Sequence, residues 1–446
     1  MRENVHGQFP LVPQFCVHEH ARELAEIDAI LDECPELERL VDRDLLRGGG
    51  VAADRGRPGL TAQQVLRAVV LKQMKGYSYE ELAFHLTDSQ SYRAFCRFGI
   101  VGPALKRSTL QENVGRISPA TWERLNATVI AHAYATGIET GQKVRIDSTP
   151  VEANIHEPTD SSLLWDVVRV LGGLLDRASE FVRVSRSDQR KEAKHLYVAI
   201  TRAPSAEQRR PLYAELLKVT ARVSRRARTT LTALEGAHGT ATRALRRKIA
   251  RVLELGERVM DQTRRRVLLG ESVPAADKLV SIFEPHTGIV VKSRDEVIYG
   301  HKVCLSVGAS GLVLDCTVHQ GNPADVTLAV GMLERHRAQF GAAPEQAVFD
   351  GAFASRANLD AIKALGASDV VFTKGQGLRM HEMARSAWVY RALRRFRAGV
   401  EGCISFLKRC FGLDRCTWKG FASFIAYVQA STLSANLLVL ARHRMA

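Results

Sequence analysis

The sequence predicts an α/β fold: a mixed sheet flanked by helices, preceded by an all-helical N-terminal region and interrupted by a helical insertion. Three observations carry this. Apolar residues recur at helical spacing through the first 135 residues. Strand-like alternation starts at Lys143, disappears for more than a hundred residues and returns near Leu279. From there a hairpin is followed by helices and strands in alternation, the pattern of a sheet covered by helices.

Each element has a local cause. Leu24, Ile27, Ile30, Leu31, Leu37 and Leu40 set a helical run from Arg22 to Leu46, ended by Gly48-Gly49-Gly50. Thr61 is placed to cap a helix from Ala62 to Lys75 that Gly76 ends, and Ser78 to cap Tyr79 to Leu86, a helix-turn-helix-like rhythm through Arg97. Ser108 opens another helix, and Pro119 starts one reaching about Ala135. Lys143-Val144-Arg145-Ile146-Asp147 alternates and carries β-branched residues, as a strand does. Leu279 to Phe283 reads as a further strand. Gly300 to Val307 and Leu312 to Val318 flank Gly308-Ala309-Ser310-Gly311, a hairpin turn. A helix from Asp325 to Gln339, a strand from Gln346 to Asp350, a helix from Ser355 to Leu365, a strand from Val370 to Thr373 and a long helix from Trp388 to Phe411 complete the series.

Composition narrows the function classes. With 446 residues, 46% hydrophobic and 25% charged, most of the chain can bury enough surface to fold, which excludes a disordered class. An excess of 63 Lys+Arg over 48 Asp+Glu, a net charge of +15, points to a polyanionic partner, nucleic acid ahead of a membrane. Residues 160–271 hold 24 Lys+Arg against 13 Asp+Glu, so this segment alone carries +11. One cluster such as Arg225-Arg226-Ala227-Arg228 is commonly a solvated helix face. Together with Arg246-Arg247-Lys248 and Arg264-Arg265-Arg266 it favours a phosphate-binding surface.

Eight cysteines (Cys16, Cys34, Cys96, Cys304, Cys316, Cys403, Cys410 and Cys416) form no C-x-x-C spacing, so reduced thiols in a cytoplasmic protein are expected. Cys403 and Cys410, seven apart on one helix, are expected to pack. The opening MRENVHGQFPLVPQF lacks a signal peptide's apolar core, and export is not expected. Phe421 to Ala441 runs 21 residues without a charge, long enough to cross a bilayer, but Ser423, Gln429, Ser431, Thr432, Ser434 and Asn436 favour a buried helix and no membrane. His18-Glu19-His20 has the look of a metal pair without a third ligand.

Three carboxylates stand out by position. Asp147 ends the first strand, Asp350 ends a later one in Val348-Phe349-Asp350-Gly351, and Glu401 lies in the long C-terminal helix. Residues at the carboxyl ends of strands in an open α/β sheet converge on one crevice. On the helix, Arg397, Glu401 and Lys408 fall within about 40° of one another at 100° per residue, presenting a carboxylate between two cations. Three carboxylates suit Mg²⁺ or Mn²⁺, and two such ions stabilise the attacking and leaving oxygens of phosphodiester displacement. A strand-terminal Asp alone is commonly a cap or turn former. Asp315, within the hairpin, and Asp369, before its strand, are read as structural.

These residues resemble a DDE transposase of a bacterial insertion sequence, with an RNase H-like catalytic domain. The resemblance is carried by Ile146-Asp147-Ser148-Thr149, by the hairpin after Tyr299-Gly300-His301-Lys302, by Phe349-Asp350-Gly351-Ala352-Phe353, and by Arg397-x3-Glu401-x6-Lys408 followed by Phe411-Gly412-Leu413. The stretch from Thr61 to Gly99 is similar to the helical domain that such enzymes place before the catalytic core. Some members carry a Tyr three residues before the Arg of that helix; here Arg394 stands there, with Tyr390 one turn earlier. Asp147 and Asp350 are 203 positions apart, and removing Asp160 to Lys278 (119 residues) leaves 84, a spacing consecutive strands can span.

The resemblance implies residues 1–135 as a helical DNA-binding and dimerisation domain, 136–159 with 279–446 as the catalytic domain, and 160–278 as a basic helical insertion. It implies a cytoplasmic enzyme that binds its element's terminal inverted repeats, cuts DNA there and joins the 3′-hydroxyl ends to target DNA, acting as a homodimer on DNA. Asp147, Asp350 and Glu401 would hold two Mg²⁺ or Mn²⁺ ions, while Arg397, Lys408 and Lys302 would hold the DNA strand. The N-terminal helices, with Ser108 to Ile117 as a candidate, would read the ends through the major groove. A metal-dependent nuclease or resolvase of the same fold and a domesticated DNA-binding protein without catalysis are the alternatives.

Overall fold

The computed structural model describes residues 18–47, 59–99, 105–184, 188–291 and 296–446. The opening stretch read for export, Cys16 and the glycine run at 48–50 lie outside them. The single helix expected from Arg22 to Leu46 is two, α1 (Glu19–Glu33) and α2 (Pro35–Arg47). Pro35 disfavours helical geometry at the residue before it, so Cys34 leaves the helix at φ −115° and ψ 65°. Pro35 itself is well suited to open a new helix.

The turn chemistry downstream acts as expected. Thr61 and Ser78 form capping boxes on α3 (Ala62–Lys75) and α4 (Tyr79–Asp88), and Gly76 ends α3 at φ 66°, a left-handed turn that disfavours a Cβ. α5 (Gln90–Phe95), α6 (Arg107–Arg116) and α7 (Pro119–Ala135) follow.

β1 (Lys143–Glu152) is longer than expected, and Asp147 lies inside it rather than at its end. The reason is that β1 has two partners. It pairs in parallel with β5 only through Ile146, while its antiparallel ladder to β3 runs on from Arg145 to Glu152. Asp147 is thus the first residue past the parallel part.

Between β1 and the rest of the sheet stand α8 (Asp160–Ala178), α9 (Arg190–Arg202), α10 (Ala206–Ala233) and α11 (Thr240–Thr263), which share a core of Leu164, Val167, Leu171, Leu216, Val223, Ile249 and Val259 separate from the rest. Leu279 to Phe283 is not a strand. The Gln262 amide engages both backbone groups of Leu279, at 2.9 and 3.1 Å, and Ser281 Oγ accepts from the Phe283 and Glu284 N–H groups. Side chains satisfy the backbone here in place of a ladder.

The sheet is completed by β2 (Gly288–Val291), a short β-branched run that is not among the expected strands, β3 (Val297–Val307), β4 (Val313–His319), β5 (Gln346–Phe349) and β6 (Asp369–Phe372). β3, β1, β5 and β6 lie side by side, with β2 and β4 both on the outer edge of β3; β3 is antiparallel to β1, β2 and β4, while β5 and β6 run parallel to β1. This is a mixed RNase H-like sheet. α12 (Ala329–Phe340) leads from β4 to β5 and α13 (Arg356–Ala364) from β5 to β6, and the short α14 (Met380–Met383) precedes α15 (Ala387–Phe411), which lies on β1, β5 and β6.

α16 (Phe421–Met445) is buried nearly all round, between the N-terminal helices and β4. Its polar residues explain why. Asn436 bonds both the N–H and the C=O of Val313 at 2.8 and 2.9 Å, and Gln429 donates to the Cys316 carbonyl at 2.9 Å. These amides supply the partners that an edge strand otherwise lacks. Gln73 of α3 and Asn126 of α7 in turn bond Ser431 and Gln429, so one core runs from the N-terminal helices into the sheet.

Candidate active site

Strand register brings the first carboxylate into place. Arg145, Asp147 and Thr149 share the face of β1 that α15 covers. Asp350 follows β5 immediately; it precedes a short 3-10 turn without capping it, which leaves the carboxylate free to face the site. Thr373, just past β6, donates to Asp350 Oδ1 at 3.0 Å. A Cβ at position 351 would lie 2.7 Å from Lys374 Cβ, so Gly351 allows β5 and β6 to stay close behind the carboxylate.

The three carboxylates meet on one cation. Arg397 donates from Nη1 to Glu401 Oε1 at 2.6 Å and from Nη2 to Asp147 Oδ2 at 2.7 Å, and Nη2 lies 3.5 Å from Asp350 Oδ1. The side chains grade from inside to outside: Arg397 is 9% exposed, Asp147 15%, Asp350 43% and Glu401 71%. Burial pushes the Asp147 carboxyl up to about 6; Arg397 opposes this, while the charges of Asp350 and Asp325 add to it. Among the described residues no three acidic, His or Cys side chains are arranged to ligate an ion as they stand. The donor set nonetheless fits a hard divalent cation, since three carboxylates already face one positive centre.

Asp325 is the residue that sequence reasoning missed. It accepts from Ser148 Oγ at 2.7 Å and from Lys302 Nζ at 2.9 Å, and Lys302 also donates to the Pro323 carbonyl. Ser148 N–H in turn donates to Asp147 Oδ1 at 2.8 Å. A network from β3 through Asp325 therefore fixes the peptide after Asp147. Its one sequence signal was an Asp opening the turn after the hairpin, which is also what any cap looks like.

Of the cations expected to hold DNA, Arg397 is buried among carboxylates, Lys302 belongs to the Asp325 network, and Lys408 lies 3.6 Å from Asp414 at the side of an open groove. Thr149, Glu401, Ser405, Lys408 and Arg409 line this groove. Arg394 lies 5.8 Å from the Tyr390 ring centroid, so the two side chains share one surface of α15.

The remaining candidates sit elsewhere. Asp315 is held by Arg335 at 2.6 Å, and Asp369 is buried, accepting from Arg385 N–H and Gln346. His18 caps α1 by accepting from His20 N–H, and His20 turns to Glu23. His301 is fully buried against Phe421 and Phe424, with Nε2 2.8 Å from His286 Nδ1. Cys403 is partly buried as expected, but Cys410 is exposed.

A family model described as Transposase DDE domain matches residues 285–437, and one described as Transposase domain (DUF772) matches residues 16–116. Asp350 and Glu401 fall inside the first match; Asp147 lies between the two. No curated protein and no solved structure was found to match. Two transposase domains in this order, on an RNase H-like sheet with its carboxylates gathered at one point, place the chain among the DDE transposases of insertion sequences.

Proposed function

We propose that this transposase binds the terminal inverted repeats of its element, cuts at those ends and transfers the 3′-hydroxyls into target DNA, using two-metal phosphodiester chemistry at Asp147, Asp350 and Glu401. Transposition-related DNA cleavage and transfer is the activity of the family. The observation that carries the finer reading is the meeting of the three carboxylates, from two strands and a helix, at one guanidinium. Asp147, Asp350 and Glu401 would together hold the ions. When bound, Mg²⁺ or Mn²⁺ would neutralise charge at the scissile phosphate and acidify the attacking hydroxyl.

The chain's own residues supply position and charge. The Lys302, Asp325 and Ser148 network holds Asp147, and Thr373 orients Asp350. The groove beside Glu401, with Lys408 and Arg409 on its wall, takes the strand backbone. Among the N-terminal helices, α3 is largely buried and α4 turns Glu80, Glu81 and Asp88 outward, an acidic face that repels phosphate. α6 exposes Arg107, Ser108 and Gln111, with Arg116 paired to Glu112 at 2.7 Å, and its first turn carries the chemistry that suits a groove-reading helix. On this reading residues 1–135 bind the ends, 136–159 and 279–446 catalyse, 160–278 clamp DNA or pair subunits, and two copies hold two ends.

The test uses the full chain, duplexes ending in the element's repeat, and Mg²⁺ or EDTA. Cleavage at the repeat end and joining of pre-cut ends, both Mg²⁺-dependent, are expected. Cleavage without joining would favour a nuclease or resolvase instead, and binding without cleavage would overturn the catalytic reading.

A further inference from the structure

We propose that Arg397 is the resident counter-ion of the carboxylate cluster, and that a divalent cation gains the site only in competition with its guanidinium. The inference rests on reading Asp147, Asp350 and Glu401 as the cation site. It goes further by giving the buried arginine a role distinct from holding DNA.

Charge is the first support. Three carboxylates converge on a single positive charge, a deficit of two if all are ionised, and the nearby Asp325 is already matched by Lys302. Such a cluster repels itself unless something positive holds it together. The fork of Arg397 does so, with one terminal nitrogen on Glu401 and the other shared by Asp147 and Asp350.

Geometry is the second. The guanidinium occupies the common focus of the carboxylate oxygens, and its own Nε is buried without a hydrogen-bond partner among the described residues. The side chain is thus held from its carboxylate side alone. Carboxylate oxygens turned toward Arg397 are not available to another cation in the same arrangement, so binding one requires these bonds to be given up. Glu401, 71% exposed, is the partner with most freedom to let go. A guanidinium engaged by three carboxylates is likewise not free to meet a phosphate until they release it.

The competition predicts effects of opposite sign. In EDTA, Arg397→Gln leaves the carboxylates without a counter-charge, and its thermal midpoint falls below that of the wild type. With Mn²⁺, titrated on the full chain and followed by the electron paramagnetic resonance of the free ion, R397Q binds tighter by roughly tenfold, the scale of one charge-assisted bond removed. Arg397→Lys keeps the charge without the fork and falls between the two, which covers the case of R397Q failing to fold. Asp147→Asn loses Mn²⁺ binding. A residue that merely supported the fold would weaken Mn²⁺ binding when replaced. If D147N abolishes binding while R397Q and R397K bind no tighter than the wild type, the counter-ion role is overturned and the cation site stands. If neither wild type nor any variant binds Mn²⁺, the cation site falls and the counter-ion role with it.

Discussion

The guanidinium of Arg145 donates to the Phe396 carbonyl at 3.1 Å while its charge lies 4.7 Å from the centroid of the Phe396 ring. One side chain of β1 thus grips both the backbone and the ring of the residue before Arg397, which sets how α15 crosses the sheet. Gly399 makes the grip possible. A Cβ there would meet the Arg145 guanidinium, with Cζ at 2.7 Å.

Gly399→Ala is therefore expected to displace the Arg145 guanidinium from the Phe396 carbonyl and ring, loosening α15 on β1 and destabilising the protein by about 1 kcal/mol, the scale of one hydrogen bond lost. Because Glu401 rides on the same helix, DNA cleavage should fall by at least roughly tenfold, as misplacement of a reacting group does. Adding Arg145→Met removes the obstructing group, so the double variant should be less damaged than the sum of the single ones. Thermal midpoints and single-turnover cleavage of the three variants decide this; strict additivity would mean the two residues act independently.

Replacing Asp147, Asp350 or Glu401 with Ala should lower Mg²⁺-dependent cleavage by at least roughly a thousandfold, about 4 kcal/mol of transition-state stabilisation. Binding to the repeat ends should survive, since none of the three is expected to contact base edges. Gel-shift and cleavage assays run side by side separate these effects, and a variant that still cleaves normally would remove its residue from the site.

How far these residues could be read in advance depended on whether the signal was local. Helices with their own caps, such as α3 with Thr61 and Gly76, were legible because cap, apolar spacing and stop all lie within one segment. Asp350, immediately after β5, was legible for the same reason. What failed was pairing at a distance. Nothing near Asp147 indicates that β1 continues to Glu152, because β3 decides that. Nothing near Leu279 reveals that Gln262 takes its backbone bonds. The polar residues of α16 argued against a membrane span without disclosing that Asn436 and Gln429 hold the β4 edge. Asp325 was hidden because its partners, Ser148 and Lys302, come from two strands distant in sequence, β1 and β3.

The three arginine clusters of the insertion are not equivalent. Arg265 and Arg266 pair with Glu271 and Asp160, and Arg228 pairs with Glu257, whereas Arg225, Arg247, Lys248 and Arg264 are exposed and make no ion pair among the described residues. Changing these four to Gln should weaken DNA binding and flatten the slope of log affinity against log salt by about 0.9 for each phosphate that is no longer neutralised. The thermal midpoint should hardly move. An unchanged slope would return these side chains to a solvated helix face. Arg266→Gln should behave differently, lowering the thermal midpoint, since it strips the partner from the nearly buried Asp160.

His301 makes stability depend on pH in a known direction. Burial, reinforced by the charge of His286, lowers its pKa to about 4, whereas in the unfolded chain it titrates near 6.5. Between these values the unfolded chain binds the proton and the folded one does not, so stability falls as pH drops from about 6.5 to about 4. The full effect of such a shift is roughly 3 kcal/mol. His301→Phe keeps a ring against Phe421 and Phe424 but removes the titration, leaving His286 Nδ1 without its partner. Urea unfolding midpoints across this range should show the variant equal or weaker at pH 7.5 yet less sensitive to acid. Parallel profiles for the two proteins would mean that other groups govern the acid side, with the Glu284 and His286 pair, 2.7 Å apart, the next to replace.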